Sequence, residues 1–438
     1  NDEMRMKFLE AIEHIDYVML SEGYTVDDIV EAVEPDIYVK GEEYKSVKDD
    51  ITGKIVEEQA IVEQHGGKIQ FTSGQVFSST KLINTALSGL PDDVKDYMID
   101  LKNRYSMRDI KEYAETASGL KVLVIGDTII DKYTYCDMQG MMSKDMGYSA
   151  RLRHSEEYLG GAVAIARHLS SFAGNVTLMS IIGKEEEIRL KLFDELVGQV
   201  NLKLSYSQEV PTIVKRKYLT RNEKREEYTK ILAINNIPEK PGFEYDVKSR
   251  FLEKIKESIA EYDVVFLCDF GHGLVDEEVM EEVQENAKYL VLNCQTNSSN
   301  KGMNIITKYK RADIFTLDQQ ELNFAYPVYG KEEKEKLEML GRHLGGNGWL
   351  TRGSQGAYGI DEGRVHECPA FTLTVKDTVG AGDAFFSLAG IFVAAGAPME
   401  VGTFMGNIGG ALGANIVGNR ESVEKVNALK FASTLLNI

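Results

Sequence analysis

The four residues Gly380-Ala381-Gly382-Asp383 have the types and spacing that phosphate chemistry needs. They stand between a polar turn and the apolar run AFFSLAGIFVAAGA, which is typical of a buried helix. Two glycines let backbone N–H groups crowd together, and at a helix start such donors form an anion site. A carboxylate beside that site, here Asp383, is placed to remove the proton of an attacking hydroxyl. The simpler alternative is a tight turn whose aspartate only favours the helix start.

A run of cations lies in the middle of the chain, in VPTIVKRKYLTRNEKR. Lys215, Lys217, Arg221 and Arg225 would suit a substrate that already bears a phosphate, because such cations bind phosphate oxygens. The alternative is a solvated basic strand and turn. The residues themselves leave both interpretations open.

Two stretches of alternating helix and strand patterns must position these residues. Residues 1–87 predict a small α/β layer with a parallel sheet, including a short strand at DYVML, residues 16–20. Residues 119–438 predict one large doubly wound α/β domain. Its predicted buried strands lie in LKVLVIGDTIID, NVTLMSIIG, DVVFLCDFG, YLVLNCQ, ADIFTLD and GWLTRGSQGAYGI. Residues 88–118 are charged and helical between them. We expect a helical linker there, or else a helix pair packed on either domain.

The composition argues against several classes of partner. A net charge of −19 over 438 residues disfavours nucleic acid and anionic membranes, which both attract basic patches. The sequence has no run of about 18 apolar residues, so we expect no membrane span. The cysteines lack Cys-x-x-Cys spacing and are expected to be reduced, buried thiols: Cys136, Cys268, Cys294 and Cys368. We therefore expect a cytoplasmic protein with a small-molecule partner, no nucleic acid and no membrane.

The stretch DTVGAGD, residues 377–383, together with its apolar helix resembles the second signature of the PfkB family of ribokinase-like sugar kinases. Further segments are similar in order and spacing: VLVIGDTIIDKY, YLGGAVAIARHLSSFAGNVTLMSIIG, LTRGSQGAYG and FMGNIGGALGANIVGNRES. The resemblance implies a ribokinase-like fold and an enzyme that transfers phosphate from ATP, with Mg²⁺, to a sugar. A dinucleotide-binding strand is the competing interpretation of the first segment, but no G-x-G-x-x-G follows Gly126.

The same resemblance implies roles for individual residues. Asp383 would be the catalytic base, and Gly380, Ala381 and Gly382 would form the anion hole. The sugar would contact Asp131, Gly160, Gly161 and Lys215. The nucleotide would contact Thr351, Arg352, Gly353 and Gly356, and its purine would lie near Asn407. Such kinases commonly need a monovalent cation, and the resemblance implies a homodimer.

Three departures from the family pattern bear on the sugar and the metal. Residues 162–164, Ala-Val-Ala, replace an asparagine expected after the glycine pair, and NCQTNSSNKG replaces an Asp-Pro segment. The Asn-x-x-Glu motif linked to hydrated magnesium becomes DQQE, in which Asp318 and Glu321 would still hold a metal-bound water. These departures support a second hypothesis. The kinase fold would then bind a sugar or nucleotide, or dimerise, with weak or no turnover.

The first block resembles the C-terminal half of a cytidylyltransferase-like domain, through PDIYVKGEEY, GGKI and FSSTKLI. Lys40 and Gly41 would lie at its nucleotide site, and Ser78, Ser79 and Thr80 would open a helix that faces nucleotide phosphates. An ordinary N-cap cluster is the alternative for the last three. The His-x-Gly-His signature of this family is expected upstream of residue 1, in a longer natural protein.

Within the kinase family, VIGDTIIDKY, VPTIVKRKYLTRNEKR and LCDFGHGLV resemble the heptose-phosphate kinase domain of bifunctional ADP-heptose synthases, with the domain order reversed. The first hypothesis is thus a bifunctional sugar-activation enzyme. The kinase domain would phosphorylate a sugar or a heptose-phosphate-like sugar phosphate. The first domain, completed upstream, would couple a sugar 1-phosphate to a nucleotide from CTP or ATP. A plain sugar kinase with a decayed appendage is the third hypothesis.

Overall fold

The structure is a computed structural model. It describes residues 6, 9–10, 15–19, 27–40, 55–71, 91–222, 227–239, 242–298, 300–371 and 375–437. The chain divides into two compact units, Asn1–Leu87 and Ser88–Ile438. Within the described ranges, no helix combines the length and the apolar character that crossing a membrane requires.

The smaller unit contains two helix–strand pairs in its described part. They are α1 (Asp27–Val33), β1 (Ile37–Lys40), α2 (Ile55–Gln64) and β2 (Lys68–Phe71). The two strands pair in parallel, with Lys40 opposite Phe71, and α2 packs against β2. Parallel neighbours need a crossover connection, which α2 supplies.

A nine-stranded sheet forms the centre of the larger unit. Its strands are β3 (Lys121–Gly126), β6 (Asn175–Ile182), β7 (Asn201–Tyr206), β10 (Val264–Asp269), β11 (Leu290–Cys294), β12 (Ile314–Asp318), β13 (Asn347–Thr351), β14 (Ala357–Asp361) and β15 (Arg364–Cys368). They lie in the order β15-β14-β13-β12-β11-β10-β3-β6-β7, and all pairs are parallel except those of β14. The strand order reverses between β3 and β10, where sheets of this kind bind ligands beyond their carboxyl ends.

A second, four-stranded sheet consists of β4 (Thr128–Met141), β5 (Tyr148–Gly161), β8 (Ile213–Asn222) and β9 (Glu227–Asn236), in the order β5-β4-β8-β9. In the parallel β4–β8 pair, Asp131 lies opposite Lys215 and Tyr133 lies opposite Lys217. Because side chains alternate between the faces of a strand, these four side chains share one face of the small sheet.

Helices cover both faces of the large sheet. On one face, α5 (Ala162–Ser170) and α12 (Met399–Gly413) pack against α11 (Ala381–Ala394). On the other face lie α7 (Tyr245–Ser258), α8 (Glu277–Asn286) and α10 (Glu333–Leu344), which share an apolar core with β3, β10 and β11. The shorter α9 (Gln319–Ala325) follows β12, and the larger unit also contains α6 (Glu186–Leu196) and α13 (Lys425–Leu436).

The segment 88–118 contains α3 (Asp92–Arg104) and α4 (Met107–Ser118). Both helices pack against α13, and α4 also packs against α11. A linker would leave their apolar stripes in water, whereas Val94, Met98 and Ile110 are buried here. The segment is therefore the packed helix pair that the sequence allowed as the alternative to a linker, and it packs on the larger unit.

Candidate functional site

The site residues predicted for sugar and phosphate meet where the small sheet lies over the carboxyl ends of β3 and β10. A cavity of about 250 Å³ is lined there by Asp131, Gly161, Lys215, Gly380, Gly382 and Asp383, among others. It lies at the reversal of strand order, the expected place for a ligand. Two larger grooves lie along β7 and α7, and none of the predicted site residues lines them.

The turn before α11 has a backbone geometry that favours an anion at the helix start. Gly380 has a φ of 84°, which glycine adopts without strain, and a Cβ at this position would lie 2.1 Å from Oδ1 of Asn419. Ala381 is the first residue of the helix, and the N–H groups of Gly382 and Asp383 have no acceptor among the described residues. Free donors at a helix start favour a negatively charged group beside them.

Asp383 lies in the first turn of α11 with a partly buried carboxyl. Its Oδ1 accepts a hydrogen bond from Nε2 of Gln295 at 3.1 Å, and its Oδ2 has no hydrogen-bond partner in the described part of the chain. Burial raises the pKa of Asp383 to about 6, against the lowering effect of the Gln295 hydrogen bond. At neutral pH the carboxyl is thus mainly ionised, with a pKa in the range that suits a general base.

Asp131 lies on the small-sheet side of the cavity and is 6% exposed. Its Oδ1 lies 2.9 Å from Nζ of Lys217, which also donates to the hydroxyl of Tyr133 at 3.3 Å. Gly160 is required beside it, because a Cβ there would lie 2.4 Å from Oδ2 of Asp131. Gly161 has a φ of 61° and precedes α5 directly. The predicted aspartate and both glycines are therefore brought together.

Lys215 lies on the same face of the small sheet and lines the cavity. Within the described ranges its ammonium group makes no hydrogen bond and no ion pair. Burial lowers the pKa of Lys215, although the carboxylates of Asp131 and Asp127 act in the opposite direction. A partly buried cation without a bonded partner is costly, so it indicates an anionic ligand. Arg221 lies at the far end of β8, and Arg225 lies outside the described residues.

Two buried groups near Lys215 were not predicted from the sequence, Asp127 after β3 and His272 after β10. Burial, with the nearby carboxylate of Asp269, raises the pKa of Asp127 to about 7. Burial, with the charge of Lys215, lowers the pKa of His272 to about 4. Among the residues that the structure describes, Asp127 Oδ2 and His272 Nε2 have no hydrogen-bond partner. Such orphaned atoms are rare in protein interiors, so a water or ligand is expected beside them.

The DQQE segment forms a reciprocal helix cap at the start of α9. Asp318 Oδ1 accepts from the N–H of Glu321 at 2.8 Å, and Glu321 Oε2 accepts from the N–H of Asp318 at 2.9 Å. Glu321 Oε1 accepts from the N–H of Thr296 at 2.8 Å. Burial, with the charge of Asp318, raises the pKa of Glu321 to about 8.

These carboxylates suit a hydrated magnesium ion better than a directly bound one. Each oxygen retains a second lone pair for a water, and Mg²⁺ usually keeps several of its waters. Across the described ranges, no group of three or more His, Cys, Asp or Glu side chains is arranged to hold a metal. Asp318 and Glu321 thus fit Mg²⁺ only through water.

Three of the residues predicted to bind the nucleotide lie at the turn between β13 and β14. Thr351 ends β13, and Gly353 and Gly356 have φ values of 56° and 87°. Two residues before Thr351, the only tryptophan of the sequence, Trp349, is buried and donates from Nε1 to Oγ1 of Thr403 at 2.8 Å. The turn therefore follows a strand that Trp349 packs firmly into the core.

The other two predicted nucleotide residues bond to the protein itself. Arg352 donates to Glu333 and to Glu367, each at 3.1 Å. Asn407 donates from Nδ2 to the carbonyl oxygen of Cys368 at 3.2 Å. A direct contact between Arg352 and a phosphate would require the guanidinium to leave these carboxylates. Their roles toward a nucleotide remain predictions.

In the smaller unit, Lys40 ends β1, and its Nζ lies 2.6 Å from Oε2 of Glu58 in α2. The other predicted residues of this nucleotide site lie outside the described residues: Gly41, Ser78, Ser79 and Thr80.

Comparison with known proteins identifies a matching family and several relatives. The family model described as pfkB family carbohydrate kinase matches residues 120–422. Relatives named bifunctional protein HldE include those of Histophilus somni and Campylobacter jejuni, each 25% identical, over 334 and 273 residues. These matches cover 74% and 61% of this chain, and 66% and 55% of the relatives. The chain thus spans less than two thirds of the length of these relatives.

Solved structures share the fold. Phosphofructokinase-2 from Escherichia coli, in complex with substrates and products, matches with a TM-score of 0.57 at 14% identity, covering 72% of this chain and 99% of that one. Ribokinase from Thermotoga maritima matches with a TM-score of 0.53 at 16% identity, with the same coverage of 72% and 99%. The predicted ribokinase-like, doubly wound α/β fold is thereby confirmed.

Proposed function

Since the chain belongs to the pfkB family of carbohydrate kinases, we propose that it transfers the terminal phosphoryl group of ATP to a hydroxyl of a sugar that already bears a phosphate. The supporting observation is that Asp383 and the unpartnered Lys215 line one cavity. A heptose-phosphate-like sugar is favoured, because the segments around Asp131 and Lys215 resemble those of heptose-phosphate kinases.

Four residues that line the cavity, Asp383, Asp131, Gly382 and Lys215, have separate tasks in this reaction. Oδ2 of Asp383 takes the proton of the acceptor hydroxyl while the hydroxyl oxygen bonds to the terminal phosphorus of ATP, whose bond to the bridging oxygen breaks so that ADP leaves. Asp131 binds a second hydroxyl of the sugar. The free N–H groups of Gly382 and Asp383 stabilise the oxygens of the transferring group, and Lys215 offsets negative charge. Mg²⁺ bound with ATP would supply further charge neutralisation, and Asp318 and Glu321 would hold its waters.

A second activity is proposed for the smaller unit, nucleotidyl transfer from CTP or ATP to a sugar 1-phosphate, after completion by upstream sequence. Its supports are the word bifunctional in the names of the relatives and the position of Lys40 at the end of a parallel strand. The Glu58 carboxylate would have to release Lys40 for a phosphate to bind there.

A catalytically weak binding module is the alternative function of the larger unit. It is favoured by Glu321, whose two oxygens already accept backbone hydrogen bonds and whose pKa is raised by burial, since both lower the affinity for Mg²⁺. Under this alternative, nucleotide would bind without release of ADP.

We further propose a homodimer in the cytoplasm. Leu232 and Ile234 of β9 are 54% and 49% exposed, on the face of the small sheet opposite the cavity, and a second copy would cover them. All four cysteines are buried free thiols, as is usual in a reducing compartment. The net charge of −19 supports a small-molecule partner over nucleic acid or a membrane.

The test is ADP release with Mg-ATP against a panel of hexoses, heptoses and their 1-, 6- and 7-phosphates. One strong substrate, with turnover reduced about 10²- to 10⁴-fold in Asp383→Asn, would support the kinase. A thermal shift with ATP but no ADP release for any sugar would instead support the binding module.

A further inference from the structure

Gln295 is held firmly at the carboxyl end of β11, next to the catalytic carboxylate. Its N–H donates to the carbonyl oxygen of Asp269 at 2.8 Å, and its own carbonyl accepts from Nδ2 of Asn304 at 3.0 Å. Asn304 is itself fixed, because the same Nδ2 lies 3.2 Å from the carbonyl oxygen of Asp269. The backbone of Gln295 is therefore bonded on both sides, which limits where its side chain can reach.

The side chain of Gln295 reaches one carboxylate oxygen and leaves the other. Nε2 donates to Oδ1 of Asp383 at 3.1 Å, and both residues line the same cavity. Oδ2 of Asp383 has no partner in the described part of the chain. An amide donor thus restricts the rotation of the carboxyl group and leaves a single oxygen for the acceptor hydroxyl.

The chemical type of this neighbour matters as much as its position. An amide donates a hydrogen bond to the ionised carboxylate without adding a charge, so it restrains the basicity that burial confers but does not abolish it. A carboxylate at position 295 would repel Asp383, and an ammonium group would attract it. The segment NCQTNSSNKG, in which Gln295 stands, is also one of the departures from the family pattern.

We propose that Gln295 is the positioning residue of the catalytic base: through Nε2 it fixes Asp383 so that Oδ2 faces the acceptor hydroxyl. This inference rests on the proposed kinase reaction. Gln295 acts through Asp383 and takes no proton itself, so its removal should change the ionisation and orientation of the base while leaving nucleotide binding intact.

The test compares Gln295→Leu, Gln295→Glu and Gln295→Lys with the wild type. In the wild type, kcat/KM should fall as the pH is lowered through about 6, because Asp383 becomes protonated there; this fall is the acid limb of the pH profile. Leu removes a bond to the ionised form, so this limb should move up by about one pH unit. Glu should move it further up, and Lys should move it down. At high pH, kcat should fall by about 10- to 100-fold in the Leu variant.

If Gln295 had only a structural role, the pH of the acid limb would not depend on the sign of the charge at position 295. The inference would be overturned if the acid limb stayed at the wild-type pH in all three variants, or moved in the direction opposite to the one expected for each variant, even if kcat falls. Ser298→Ala, an exposed position three residues further along the same segment, is the matched control and should leave the profile unchanged.

A second readout does not require turnover. Carbon NMR of aspartate labelled at the carboxyl carbon, with the Asp383 signal assigned by its loss in Asp383→Asn, follows the titration directly. If no sugar is turned over, the proposed reaction fails. The Asp383 signal then still decides the inference about Gln295, because equal titration in the wild type and in Gln295→Glu would refute the contact.

Discussion

The hydroxyl of Tyr133 lies 3.0 Å from Oδ2 of Asp377 and joins the small sheet to the turn that precedes α11. Tyr133 is buried in β4, and Asp377 also accepts from the N–H groups of Val379 and Gly418. The same hydroxyl receives a hydrogen bond from Lys217, the partner of Asp131. The small-sheet side of the cavity, with Asp131, and the side formed by the turn before α11 are thus linked by one phenol group.

Tyr133→Phe removes this link without leaving a large cavity. Asp377 would lose one of its donors, and hydrogen bonds to charged groups contribute about 1.5–3 kcal/mol. We expect kcat/KM for the sugar to fall about 10-fold or more, with little change in the KM for ATP, in steady-state ADP release. Tyr135 lies on the same strand as Tyr133, and its hydroxyl makes a similar hydrogen bond to Glu156 of β5. Tyr135→Phe should have a much smaller effect on kcat/KM.

Lys215→Met tests whether the unpartnered cation binds a substrate phosphate. We expect the KM for a phosphorylated sugar to rise about 10- to 100-fold, from the loss of a charge-assisted contact, while the unphosphorylated sugar is hardly affected. Thermal stability should stay equal or rise, because a partly buried charge is removed. Lys217→Met breaks the ion pair with Asp131 and should impair both sugars alike. Equal losses for both sugars in Lys215→Met would contradict the proposed role.

The two glycines before and within the first turn of α11 should respond differently to alanine. Gly380→Ala places a Cβ at positive φ and against Asn419. We expect the free energy of unfolding to fall by about 1–3 kcal/mol and most of the activity to be lost. Gly382→Ala meets no atom within 4 Å and should fold normally. Its methyl group lies in the cavity and should reduce phosphoryl transfer alone. Urea unfolding and ADP release separate the two effects.

Asp127 should make the fold less stable as pH rises. Folding raises its pKa from 3.8 to about 7, so between these values the folded chain binds a proton that the unfolded chain has released. This stabilisation is complete below about pH 4 and is lost as pH rises through 7. We expect Asp127→Asn to raise Tm relative to wild type by a few degrees at pH 8 and by less at pH 5. Asp246→Asn, at an exposed acid, should show no such difference.

The buried strands of the large sheet could be predicted from the sequence because they are apolar runs bounded by turns. Six of the seven parallel strands were predicted in this way, β3, β6 and β10–β13. The small sheet could not, because its strands mix polar and apolar residues and one face covers a polar cavity. The strand expected at DYVML is wrong for the described residues 16–19. They adopt no regular structure, and Tyr17 is 91% exposed.

The residues of the cavity could be predicted only where they stand in segments that resemble the family motifs, as Asp131, Lys215 and Gly380 to Asp383 do. Gly380 to Asp383 form one motif, so their role could be stated from the residues. Gln295 precedes Asp383 by 88 positions, and only the tertiary fold, which places the residue after β11 beside the first turn of α11, brings its amide to the carboxylate. Asp127 carries a weak signal, a second acid four residues before Asp131. Its pKa is raised by burial and by the carboxylate of Asp269, and both depend on residues from other strands.

The position of Trp349 makes the protein its own optical reporter. It is the only indole in the chain, it is fully buried two residues before the turn at Thr351, and its ring meets that of Phe385, which follows Asp383 by two residues. Its fluorescence therefore arises from one known place between the turn before α11 and the turn between β13 and β14. Emission intensity and quenching would follow ligand occupancy and unfolding of the larger unit without any attached dye.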